Sequence, residues 1–297
     1  MKNAFKIITL FLSLSLTVAA ACAGTPKSEK IVIGGSGWNQ IAVVDKATKQ
    51  VEWTHELERG TECNSVMADR KGNILYAYKQ GARLIKRDGT VIWDYKADGA
   101  GAEVQYAGII PSGFVVAICG NPSLIVELDR KGRPVREIAF ETGTQKPHGQ
   151  FRQVWPLGNG SYLVPLLSQG EVITVDARGE ITDRVKVEGK PFSVKKTTAG
   201  TLIVSGGDGH LATEITPGGE VIRRIGQHDI AGITLGYVAQ INPDENGNWL
   251  ICNWLGHGAD ETQPHLIEIA PDGKVLWRFS EKEKVGKVST AYQFTGK

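Results

Sequence analysis

A unit of about 44 residues recurs along this chain, and it limits the possible folds more than any other feature. Its clearest marker is a tight turn leading into an extended apolar segment. Five copies read Asp88-Gly89-Thr90-Val91-Ile92-Trp93, Lys131-Gly132-Arg133-Pro134-Val135, Arg178-Gly179-Glu180-Ile181, Gly218-Gly219-Glu220-Val221-Ile222 and Asp272-Gly273-Lys274-Val275-Leu276-Trp277. A sixth, from Asp45 to Trp53, has a longer turn. Turns of this kind join antiparallel strands, because they need a positive φ that glycine adopts without steric cost. Two apolar runs precede each turn, as in Ile74-Tyr78 and Leu84-Lys86, and a further run such as Ser65-Met67 or Arg152-Pro156 precedes those. The unit is therefore four short antiparallel strands. With 36 Gly and only 2 Met in 297 residues, the chain is rich in turns and poor in helical patterning, in keeping with an all-β class.

Six such units predict a six-bladed β-propeller with four-stranded antiparallel blades, since one blade alone cannot bury both of its faces. The ends of the chain indicate how the ring closes. The N-terminal unit has strands at Ile31-Ile33, Ile41-Val44 and Val51-Trp53 but lacks a first strand, and the C-terminus supplies one unpartnered strand, Ser289-Phe294. Joining them gives a closing blade shared between the N- and C-terminus and leaves no open sheet edge at the seam. The propeller is expected to occupy residues 31–297.

The first residues carry Lys2 and Lys6, then an apolar run from Ile7 to Ala21, the pattern of a signal peptide over residues 1–21. The run is too short to span a bilayer. Val18-Ala19-Ala20-Ala21-Cys22 resembles a bacterial lipobox, with Ala19 where that pattern more often has Leu. The resemblance implies lipidation of Cys22, a tether over residues 22–30, and export to the periplasmic or outer face of the envelope, with the lipid as the sole membrane contact. Cleavage near Ala21 or Ala23 without lipidation would give a secreted protein instead. Three further cysteines, Cys63, Cys119 and Cys252, lie in or beside apolar strand-like runs, where a thiol acts as a small hydrophobe. Their odd number prevents complete pairing within one chain. A formal net charge of +2, with acids and bases interspersed, gives no like-charge block for nucleic acid.

Val43-Val44-Asp45-Lys46-Ala47-Thr48-Lys49-Gln50-Val51-Glu52-Trp53 resembles the tryptophan-docking repeat of the quinoprotein-dehydrogenase-like (PQQ-like) propellers. Asp45, Thr48 and Trp53 match that pattern, whereas Val43, Lys49 and Gln50 depart from it. A shorter Gly-x-x-x-Trp core recurs at Gly89 to Trp93 and Gly273 to Trp277, while the other three blades hold Arg136, Asp183 and Arg223 there. The resemblance implies that the tryptophans join blade to blade. Family enzymes that bind the quinone generally have eight blades, a calcium site and a pair of adjacent cysteines. This chain has six such units and no pair of adjacent cysteines, so quinone-dependent dehydrogenase activity is not expected, and no pattern names a cofactor.

Chemistry is expected on the face built by the loops that enter each first strand and those between second and third strands. Those loops carry Trp38, Glu62, Gln105, Arg152, Asp208, His210, Tyr237, Asn253, Trp254 and His257. Aromatic faces among hydrogen-bonding groups suit a polar ligand such as a sugar, or an envelope protein partner. The loop from Asn253 to Pro264 is the longest insertion and is expected to form a lip. The opposite face is made of turns whose Gly, Asp and Lys content follows from hairpin geometry. A binding protein without catalysis is the first expectation, and a funnel hydrolase or transferase the alternative. A calcium lactonase-like set would use Glu62, Asn121 and Asp208. An arylsulfotransferase-like one would use His210 or His257 with Arg152. No metal-ligand spacing links His148, His210, His257 and His265.

Overall fold

The computed structural model describes residues 28–99 and 101–295, which form six four-stranded antiparallel sheets arranged in a ring. The signal-like segment and Cys22 lie outside the described residues. Blade 1 is the shared one. Its innermost strand is Lys287–Thr295, followed outward by Glu29–Ser36, Gln40–Asp45 and Val51–Glu56. The last strand pairs with the first along its length, from Glu29 opposite Thr295 to Ser36 opposite Lys287, so the ring closes where the repeat count predicts. The innermost strands of blades 2 to 6 are Cys63–Ala68, Glu103–Ile110, Trp155–Pro156, Val194–Lys196 and Tyr237–Pro243.

Blade 4 departs from the strand expected over residues 152–156. Only Trp155–Pro156 pairs with its neighbour as a strand. Gln153 turns toward blade 5, where its N–H donates to Phe192 O at 3.0 Å, and that diversion shortens the blade's own ladder.

The core is six seams, each shared by two neighbouring blades, with no single apolar centre. Ile31 and Ile33 pack toward blade 6 with Leu250, Cys252 and Phe279, whereas Val32, between them, packs toward blade 2 with Val66 and Ile74. Alternate residues of one strand thus serve opposite seams, which is why the strands read as unbroken apolar runs. Cys63, Cys119 and Cys252 lie buried in three seams as free thiols. Burial pushes the Cys119 thiol up to about 12, and Cys63 and Cys252 shift in the same direction, so none is poised as a nucleophile.

Tryptophans stitch three consecutive seams at the rim. Trp277 Nε1 of blade 6 donates to Lys46 O of blade 1 at 2.9 Å, and Trp53 Nε1 of blade 1 donates to Arg87 O of blade 2 at 2.7 Å. Trp93 of blade 2 lies against Gly132 in the corresponding turn of blade 3. Where the indole is missing from blade 5, Arg223 substitutes: Nη2 donates to Ala270 O at 2.6 Å, and the guanidinium lies 3.9 Å from the Trp249 ring centre. An arginine thus makes the contact in place of the indole, whereas the equivalent Asp183 of blade 4 lines a small cavity of about 110 Å³ at the seam with blade 5.

Around the axis, short polar side chains lace one innermost strand to the next. Thr290 Oγ1 accepts from Val66 N at 3.1 Å and donates to Gln240 Oε1 at 2.9 Å. Ser65 Oγ accepts from Ala107 N at 2.8 Å, and Ser193 Oγ donates to Ala239 O at 3.3 Å. Apart from the Thr290–Gln240 bond, these buried groups are satisfied by backbone at the inner edge of each sheet. The belt divides the axis into two mouths: along blade 5, Phe192 lines one cavity, Ser193 belongs to the belt, and Lys195 lines another cavity beyond it.

Candidate functional site

The first mouth opens on the loop face as a cavity of about 600 Å³. Glu62, Gln105, Arg152, Asp208, Tyr237, Trp254 and His257 all line it, although they come from five different blades. Each first strand delivers its opening residues here because it starts at the axis: Glu62 precedes Cys63–Ala68, and Tyr237 opens Tyr237–Pro243. Trp254 is half-buried, and its Nε1 donates to Ser36 Oγ at 2.8 Å. Its ring meets Tyr237 and His257 edge to face at 5.5 and 4.9 Å, so the three form one aromatic wall. Arg152 Nη1 donates to its neighbour's carbonyl, Phe151 O, at 2.9 Å. No carboxylate among the described residues lies within ion-pair distance of it.

Two histidine and carboxylate pairs stand on the rim. His257 Nδ1 donates to Asp208 Oδ1 at 2.7 Å, and Lys190 Nζ holds the other oxygen at 3.1 Å. Partial burial disfavours the Asp208 carboxylate, but the hydrogen bonds from His257 and Lys190 outweigh it and hold the group below its ordinary range. His148 Nδ1 donates in the same way to Glu103 Oε2 at 3.1 Å, and Lys79 lies 3.2 Å from Oε1. Burial again opposes the charge of Glu103, and these two partners again lower its pKa. In the neutral imidazole, donation from Nδ1 leaves Nε2 as an acceptor. His257 also has φ +52°, a left-handed backbone that non-glycine residues rarely adopt.

Three candidate residues are not part of the funnel. Asn253 is wholly buried: Oδ1 accepts from Gly236 N at 2.7 Å and Nδ2 donates to Pro264 O at 3.1 Å, so the amide clamps the base of the lip. Trp38 packs against Gly286 and joins the blade 6 to blade 1 seam, because that glycine leaves room for the indole where a Cβ would sit 2.5 Å from its Cδ1. His210, at φ +56°, donates from Nδ1 to Gly236 O at 2.6 Å and lines a separate side pocket of about 220 Å³. That pocket shares Asp208, Tyr237 and His257 with the funnel. The long loop after Asn253 overhangs it, pinned where Gln263 Oε1 accepts from Thr234 N at 2.8 Å. Hydrogen bonds from Gln263 and Thr262 bring Asp260 of this loop down to about 2.

Asn64, His148, Ser168, Lys190 and Phe192 also line the funnel. Lys190 and Phe192 flank Pro191 ahead of the blade 5 strand, and the Gly189-Lys190-Pro191 turn was the available sign that the chain enters the axis there. Asn121, the middle member of a lactonase-like set, is turned away: Nδ2 donates to Gln145 O at 2.8 Å, and it is not among the funnel residues. Among the described residues no three His, Cys, Asp or Glu side chains gather closely enough to hold a metal ion.

The family model for Mal s 1 allergenic protein-like proteins matches residues 37–274, a span that takes in all ten candidate residues. The chain belongs to the Mal s 1-like family. A crystal structure of a protein of unknown function from Bacteroides caccae is 41% identical, covers 91% of this chain and 100% of its own, and superposes with a TM-score of 0.86. More distant solved structures share the propeller fold alone. Virginiamycin B lyase from Staphylococcus aureus is 12% identical over 86% of this chain and 82% of its own, with a TM-score of 0.58. A chain of the nidogen/laminin complex is 11% identical over 89% of this chain and 98% of its own, with a TM-score of 0.61. No curated protein matches the chain.

Proposed function

We propose that this Mal s 1-like propeller is a binding protein of the cell envelope that takes a small polar ligand of carbohydrate type in its loop-face funnel. The observation that carries the reading is one cavity of about 600 Å³ holding both an aromatic wall, Trp254 and Tyr237, and Arg152, a guanidinium with no carboxylate partner among the described residues. A sugar ring offers C–H faces to such a wall and hydroxyl or carboxylate oxygens to such a donor. A ligand that binds the folded state raises its melting temperature, so a panel of neutral and acidic saccharides is the first test. For any saccharide that binds, Trp254→Ala and Arg152→Ala are each expected to weaken affinity about 10-fold, about 1.4 kcal/mol. Lys131→Ala and Lys274→Ala, in turns of the opposite face, are expected to change nothing. Absence of any saccharide shift, with a shift by an envelope protein instead, would reassign the funnel to a protein partner.

A second reading, a funnel hydrolase or transferase, is favoured by one feature. His257, oriented by Asp208 in a left-handed backbone, has the arrangement of a general base held by a carboxylate. Turnover of a bound ligand that stops with His257→Ala would select this reading over simple binding.

We further propose that Cys22 is the lipidated first residue of the mature chain and that the tether holds the ring at the membrane. Cys22→Ala is then expected to move the protein from the membrane to the soluble fraction, because one acyl-bearing residue supplies the anchor. Equal partition of the two forms would mean plain secretion.

A further inference from the structure

The opposite mouth also opens as a cavity, of about 640 Å³, although turn chemistry accounts for the hairpins of that face. Trp155 of blade 4, Lys195 of blade 5, Asn242 of blade 6 and Tyr292 of blade 1 line it, all from innermost strands. Lys195 is half-buried, its Nζ donates to Asn242 Oδ1, and it lies 5.3 Å from the centre of the Trp155 ring. Lys30 is neutralised by Asp45 and Glu52, and Lys46 by Glu29 and Glu268. Lys195 has a neutral amide and an aromatic face as partners, and no carboxylate among the described residues lies within 4 Å of it. Glu29, Glu214, Asp244, Glu245 and Lys196 complete the charged groups on the cavity wall, giving it an acidic balance.

We propose that Lys195 makes the second mouth a covalent capture site for small uncharged aldehydes with an aromatic or aliphatic body. The Nζ lone pair adds to the carbonyl carbon, the resulting carbinolamine loses water, and a C=N bond replaces the C=O bond. The amine gives up both of its hydrogens to that water, and no redox partner is needed. Trp155 and Tyr292 supply surface for the body of the aldehyde, and Asn242 holds an N–H while the lone pair attacks. The acidic wall disfavours anionic carbonyl compounds. Desolvation supports the same assignment, since it pushes the Lys195 ammonium down to about 8 and leaves a fraction of free amine at neutral pH that exposed lysines lack.

The test is reductive trapping of the full chain at pH 7 with benzaldehyde and cyanoborohydride, followed by peptide mass mapping. Lys195 is expected to be labelled at least about 10-fold faster than exposed lysines such as Lys131 and Lys274, with a rate that rises through a midpoint near pH 8. 4-Carboxybenzaldehyde is expected to label it several-fold more slowly than benzaldehyde does. The preference is expected to vanish in urea, where the cavity is gone. Even labelling across the lysines of the folded protein, or labelling led by Lys196, would overturn the proposal. The measurement uses the wild-type chain and the mouth opposite the funnel, so its outcome is independent of saccharide binding.

Discussion

Truncation of residues 289–297 is expected to abolish the cooperative unfolding transition of the whole ring rather than fray one end. The deletion removes most of an innermost strand that pairs with Glu29–Ser36, so blade 1 loses its axial member and an inner edge is exposed. The fully buried Ala291 leaves the seam with blade 6, and Tyr292 and Phe294 leave the seam with blade 2. Thr290 leaves the axial belt, stranding Val66 N and Gln240 Oε1. Together these losses exceed about 5 kcal/mol, the lower end of the net stability of a whole domain. The measurement is thermal unfolding, and an unchanged melting temperature would sink the closure. Because the truncated chain is expected to lose its fold, two further experiments keep the idea testable. A synthetic peptide of residues 287–297 added in trans is expected to restore the transition by strand addition. The point variant Thr290→Val is expected to cost about 2 kcal/mol, the penalty of a buried N–H left without its acceptor.

Gly132→Ala is expected to lower the melting temperature by about 10 °C, and Gly273→Ala by about 3 °C, taking about 2–4 °C for each kcal/mol in a domain of this size. The two glycines occupy the same turn in blades 3 and 6, closed by Gly132 N to Asp129 O and Gly273 N to Ala270 O. Both have left-handed backbone, φ +80° and +85°, and either alanine bears that conformational cost of about 1 kcal/mol. Only at Gly132 is there a second cost. A Cβ there would stand 2.6 Å from Cγ of Trp93, whereas at Gly273 nothing lies within 4 Å. Displacing the indole from the seam of blades 2 and 3 adds an overpacking penalty of about 2 kcal/mol. The difference between the variants therefore measures tryptophan docking, and equal melting temperatures would show that Trp93 contributes nothing to the seam.

The blades and the shared closing sheet were legible from the chain because a turn needing glycine recurs between apolar runs, and both signals are local. Seven of ten candidate residues meet in the funnel, four of them (Glu62, Gln105, Arg152 and Tyr237) because a residue at the start of a first strand is delivered to the axis whatever its side chain, and the other three because the loops between second and third strands open on the same face. The three exceptions depended on partners distant in sequence. Asn253 is claimed by the backbone of Gly236 and Pro264, Trp38 by the vacancy at Gly286, and His210 by the carbonyl of Gly236. Loop position alone does not distinguish a polar group that serves its own fold from one left over for a ligand.

Local order in the chain, the turn period and the run of apolar residues, was enough to determine six blades, their strand order and the seam that joins the two ends. Only the tertiary structure decided which polar groups are already satisfied. Pairs such as His257 with Asp208 and Lys195 with Asn242 form across 49 and 47 residues, between blades whose mutual approach is set by seam packing. That is also why Arg152 and Lys195 look ordinary in sequence. Their distinction is the lack of a carboxylate within reach among the described residues, and a missing neighbour is a property of three-dimensional packing.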